Sequence, residues 1–107
     1  MLLVAWSMTA SSSRAEASSV LDGCPEYVIE MFSESPARAC GIASCETGGT
    51  FRNDLIGRAG EVSMWQIHPI HFYRYDRQRL IDDPEYATEV AFEMSSGGRN
   101  WRAWSCS

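Results

Sequence analysis

The chain has 107 residues, enough for one domain with a modest core. It is 45% hydrophobic and 21% charged, as globular chains are, and its formal net charge is −5. All nine basic residues are arginine, and the densest basic stretch, RYDRQR from Arg74 to Arg79, is interrupted by Asp76. That stretch reads as a solvated helix or loop face, and no nucleic-acid partner is expected.

Residues 1–17 differ from the rest. MLLVAWSMTA is apolar but too short to span a bilayer. SSSRAEA follows, and Ala15–Glu16–Ala17 suits a small-x-small cleavage site, so residues 1–17 read as a signal peptide and residues 18–107 as the exported domain, with no membrane span in the mature chain. The basic segment that ordinarily opens such a leader does not stand in this sequence. Export sets the reading of the four cysteines, Cys24, Cys40, Cys45 and Cys106, as a disulfide framework with three possible pairings. No C-x-x-C pair is present, so zinc is not expected.

The segment PEYVIEMFSE (25–34) predicts a first helix, with Tyr27, Val28, Met31 and Phe32 on one face, Pro25 in its first turn and Glu26 at its positive end. Ser35 and Pro36 are an N-cap and first-turn pair for a second helix, PARACGIASCE, with Ala39, Ile42 and Ala43 inward and TGG stopping it after Glu46. From Thr47 to about Val62, glycines with Asn53 and Asp54 predict turns or a small hairpin. SMWQIH is a short apolar run that Pro69 ends, and IHFYRYDRQRLI is aromatic without a period. Asp83 caps another clear helix, PEYATEVAFEMSS, whose Ala87, Val90, Ala91 and Met94 share a face. Gly97 and Gly98 end it, Asn100 caps a last short turn, and WRAWSC closes the chain with Trp101 and Trp104 sealing the core beside Cys106.

Glu46 falls at the C-terminal end of the second helix. That end is electronegative, so it disfavours a carboxylate and raises its pKa; Trp65 or Phe51 folded over it would raise it further. A glutamate held protonated near neutral pH is what a general acid needs, the plain alternative being a surface glutamate at a helix end.

The order IASCETGGTF, polar turn, SMWQIHP, terminal helix, WRAWSC resembles the lysozyme-like superfamily, above all the lytic transglycosylases and resuscitation-promoting-factor-like domains. The resemblance runs from about Ile42 to Cys106. It implies a mostly α, lysozyme-like α+β fold with a short hairpin or irregular loop. The implied activity is cleavage of the β-1,4 bond between MurNAc and GlcNAc in peptidoglycan, without a cofactor or metal, by a monomer that is secreted, periplasmic or wall-associated. It implies Glu46 as the catalytic acid and Gln66 as the family glutamine. It also implies Cys45 paired with Cys106, which leaves Cys24 with Cys40. The family glycine three residues before the glutamine is Ser63 here.

A second carboxylate would come from Asp54 or Glu61. Glu61 stands five residues before Gln66, as an aspartate does in animal-type lysozymes, which implies a nucleophile or charge stabiliser and a hydrolase. Without it, Glu46 alone acts as acid and then base in lytic transglycosylation. Ser63, Trp65, Gln66 and Tyr86 are the expected substrate-binding residues, although Tyr73 and Tyr75 compete with Tyr86 and Trp65 also suits the core. His68 and His71 flank Pro69, which spoils helical ligand spacing. A third reading is a wall-binding or assembly protein whose cleft does not catalyse.

Overall fold

The computed structural model describes residues 21–107. The expected signal peptide, residues 1–17, lies outside the described residues. Among the described residues four α-helices make the frame: α1 (Glu26–Met31), α2 (Pro36–Glu46), α3 (Arg77–Asp82) and α4 (Pro84–Met94), with a 3-10 turn at Pro69–His71. Helix α1 packs on α2 and on α4, and α3 packs on α4.

Helix α1 is shorter than its sequence pattern suggested. Pro25 precedes it at the N-cap, and the chain leaves the helix at Phe32. Six residues make less than two turns, too few to be stable alone. The helix is held instead by burial of Val28 and Phe32 and by the Cys24–Cys40 disulfide to α2.

Helix α2 spans the expected residues and buries Ala39, Cys40, Ile42 and Ala43. Ser35 sits at its N-cap but makes no side-chain capping bond. At the other end, Gly48 N–H donates to Cys45 O (3.3 Å) and Gly49 N–H to Ser44 O (2.7 Å). This is the Schellman arrangement, and it needs the left-handed φ of +63° that Gly48 adopts without steric cost. Glu46 is thereby fixed as the last residue of the helix.

Helix α3 falls in the stretch that showed no period. Asp76 caps it by accepting from Arg79 N–H, and only Leu80 among its six residues is buried. Asp83 then caps α4 by accepting from Tyr86 N–H, as expected. Helix α4 buries Ala87, Thr88, Val90 and Ala91. Between α2 and α3, the expected hairpin reduces to two isolated antiparallel bridges among the described residues, Ile56 with Val62 and Val62 with Ile67. The segment is tied down by Asn53, whose amide donates to Leu80 O (2.8 Å) and Ile81 O (2.9 Å) and whose carbonyl accepts from Met64 N–H (3.2 Å).

Aromatic rings fill the centre. Phe32 lies 5.5 Å from Trp65, 5.3 Å from Phe92 and 5.3 Å from Trp101, ring centre to ring centre. Trp104 meets Trp101 edge-on at 5.0 Å. The second disulfide, Cys45–Cys106, spans 61 residues of sequence and brings the chain end back to the C-terminus of α2. The fold is thus a small, mostly helical domain with two disulfides, and no described helix is long and apolar enough to cross a membrane.

Candidate active site

Two parts of the chain meet where α2 ends. The first is the turn Gly57–His68. The second is the terminal segment Ala103–Ser105, delivered by the Cys45–Cys106 bridge. Between them lies a cleft of about 150 Å³ lined by Glu46, Glu61, Gln66, His68, Ala103, Trp104 and Ser105.

Glu46 is half-buried in this cleft. Its Oε2 accepts from Cys106 N–H at 3.3 Å and from the Ser105 hydroxyl at 3.5 Å. No basic side chain pairs with it among the described residues. Burial pushes its carboxyl above the ordinary value of 4.5; the two donors pull the other way, and the charge of Glu61 pushes it up again. Desolvation is therefore the main cause. Neither Trp65 nor Phe51 lines the cleft; the apolar wall beside Glu46 is Trp104.

Glu61 is the second carboxylate of the cleft, and its Oε1 accepts from Ala59 N–H at 2.7 Å. Asp54, the other candidate, is exposed and paired with Arg52 at 2.9 Å, which holds its carboxyl below the usual range. Gln66 is brought in with a left-handed backbone (φ +45°), and its amide donates to Ser63 O (2.8 Å) and Leu55 O (3.4 Å).

Three expected substrate-binding residues do not reach the cleft. Trp65 is fully buried, and its indole N–H donates to Thr88 Oγ1 at 3.0 Å, so its ring is unavailable to stack on a sugar. Ser63 is also fully buried; its hydroxyl accepts from Trp65 N–H at 3.1 Å. Its φ of +76° lies in the left-handed region that favours glycine, so serine holds a strained backbone there, with a local hydrogen bond to offset the strain. Tyr86 sits at the α3–α4 junction, its hydroxyl accepting from Asp76 N–H and its ring covered by the Arg79 guanidinium at 4.0 Å. Tyr75 is buried against Arg74, and Tyr73 is exposed outside the cleft.

Other residues complete the site. Gly57 backs directly onto it: a Cβ there would lie 2.5 Å from Gln66 Oε1 and 2.9 Å from Glu61 Oε1. Trp104 is fixed by its indole N–H donating to Trp65 O at 2.8 Å. His68 accepts from Ile70 N–H through Nδ1 at 3.2 Å. Among the described residues, no three His, Cys, Asp or Glu side chains gather into a metal site.

The arrangement can present a proton from a partly desolvated glutamate beside a second carboxylate, in a cleft open to solvent. No family model, curated protein or solved structure matches the chain.

Proposed function

We propose that this chain is a lysozyme-like lytic transglycosylase that cleaves the β-1,4 bond between MurNAc and GlcNAc in peptidoglycan. The observation that carries the reading is Glu46: a helix-terminal glutamate in a cleft, without a basic partner among the described residues, whose carboxyl burial holds above its ordinary value. Supporting it are the residues that carry the family resemblance, Glu46, Gln66, Cys45 and Cys106, which all converge on or beside that cleft. In this mechanism Glu46 protonates the glycosidic oxygen, and the GlcNAc hydroxyl leaves. The resulting carboxylate then takes the proton from the 6-hydroxyl of MurNAc as that oxygen bonds to the anomeric carbon, closing a 1,6-anhydro ring. Two disulfides suit an oxidising, extracytoplasmic setting, where the wall is. The protein then works there as a monomer on glycan strands.

One observation favours a second reading. Glu61 shares the cleft and its charge reaches Glu46. With Glu61 as nucleophile or charge stabiliser the enzyme is a muramidase.

Mass spectrometry of fragments released from purified peptidoglycan, by the wild-type domain and by Glu46→Gln, tests both. Anhydro-muropeptides, lighter by one water, are the expected products. Reducing-end muropeptides would move the assignment to the hydrolase. Absence of glutamate-dependent fragments would leave a wall-binding protein.

A further inference from the structure

The side chains of the cleft offer few free hydrogen-bond donors. Gln66 spends its amide hydrogens on Ser63 O and Leu55 O, Trp104 its indole N–H on Trp65 O, and Ser105 its hydroxyl on Glu46. Glu61 as a carboxylate only accepts, and protonated Glu46 gives its hydrogen to the glycosidic oxygen. Ala103 has no polar side chain. That leaves His68, exposed at the rim of the same cleft.

Its tautomer follows from one contact. Nδ1 accepts the Ile70 N–H at 3.2 Å, capping the Pro69–His71 turn. A nitrogen that accepts carries no proton, so the neutral ring holds its hydrogen on Nε2. No protein acceptor takes that Nε2–H among the described residues. The seven lining side chains thus offer one donor committed neither to the protein nor to the reaction, in a cleft otherwise made of acceptors and an indole wall.

We propose that His68 is a substrate-binding residue whose Nε2–H donates to the acetamido carbonyl oxygen of an N-acetylated sugar lying in the cleft. An amide carbonyl can only accept, so it is the group that the carboxylates cannot serve and His68 can. The proposal rests on the reading of the cleft as a glycan site. It also gives the 3-10 turn a purpose: the cap on Ile70 fixes both the ring's orientation and its proton.

Two measurements test it. The first is a long-range ¹H–¹⁵N correlation of the histidine rings in the intact domain, alone and with chitotetraose as probe. The expected result is protonated Nε2 in the free protein and a shift of the His68 Nε2–H resonance on titration. A proton on Nδ1, or cleft amides that move while Nε2 does not, overturns the proposal. The second compares His68→Asn with His68→Gln on peptidoglycan. Asparagine keeps an acceptor near Ile70 N–H but withdraws the distal donor; glutamine restores a donor near the distal position. His68→Asn is expected to raise KM about tenfold with kcat within about twofold, and His68→Gln to recover most of that loss. A wild-type KM in His68→Asn overturns the proposal, as does an equal loss in both variants with lowered melting temperatures. If the wild-type domain releases no fragments at all, the glycosidase reading fails, and the ring spectrum with chitotetraose still decides the role of His68.

Discussion

The backbone N–H of Cys106 donates to Oε2 of Glu46 at 3.3 Å, and Cys106 is bonded to Cys45, the residue next to that glutamate. The bridge thus acts twice: it closes a long loop, and it carries a donor to the carboxylate. The other bridge, Cys24–Cys40, joins α1 to α2 with no contact to the cleft. Replacing Cys45 and Cys106 by serine is expected to cost about 4 kcal/mol and replacing Cys24 and Cys40 about 3 kcal/mol, by loop-closure entropy. The two pairs are expected to differ more in activity. Trp104 stays anchored through Trp65 O, so the first variant still folds locally while Ser105 and Cys106 lose their hold on Glu46. Fragment release per folded molecule, read beside urea midpoints, should fall only in the Cys45/Cys106 variant. Equal activity in the two would show that the bridge is a staple alone.

Glu46 should also mark the pH dependence of stability. Burial raises its carboxyl in the folded chain, so the native state holds that proton more tightly than the unfolded state does. The stability this group contributes is complete below its ordinary value of 4.5 and is lost as pH rises through the raised folded value. Glu46→Gln keeps an acceptor for Cys106 N–H and removes the ionisation. It should therefore melt above the wild type at pH 7, with the gap closing below pH 4.5. A gap that widens on acidification would mean that Glu46 is stabilised as a carboxylate, and would count against its role as an acid.

The extent of α2 and the Asp83 cap of α4 were legible in the sequence, because each follows from a local pattern: a Pro-led apolar face and a cap. That Glu46, Glu61 and Gln66 line one cleft was suggested only by the lysozyme-like resemblance. What was not legible has a physical cause in each case. Helix α3 buries only Leu80, and its two apolar residues, Leu80 and Ile81, are adjacent and show no period. The wall formed by Ala103, Trp104 and Ser105 comes from the far end of the chain through a disulfide, and a linear pattern does not show where a bridge delivers its neighbours. Trp65 in a short apolar run suited a sugar platform or a core equally, and only burial separates the two. Gly57 looked like any turn glycine until its neighbours were known. A raised Glu46 carboxyl was expected from the helix end and from apolar cover, and burial is the first of its causes.

Trp65 offers a sharp contrast between those two roles. It is fully buried, stacks near Trp101 at 6.0 Å and gives its indole N–H to Thr88. Trp65→Phe removes ring volume and orphans the Thr88 hydroxyl as an acceptor. The expected cost is roughly 2–3 kcal/mol in denaturant unfolding, with KM for peptidoglycan unchanged where the protein is folded. A raised KM at undiminished stability would restore Trp65 to the binding surface.

Gly57 gives the opposite pattern. A methyl group there would meet Gln66 Oε1 at 2.5 Å and Glu61 Oε1 at 2.9 Å, both far tips of flexible side chains. Its backbone N–H, which donates to Glu61 O at 2.7 Å, is untouched by the change. The fold can therefore yield by swinging two side chains, at a cost of about 1 kcal/mol or less. The cleft cannot: those two side chains are its floor, and displacement near 1 Å is enough to cost about 100-fold in rate. Gly57→Ala should keep the wild-type urea midpoint nearly intact and lose fragment release by roughly 10- to 100-fold. Full activity in Gly57→Ala would show that neither Gln66 nor Glu61 needs its present position, which would remove the muramidase reading and leave Glu46 to act alone.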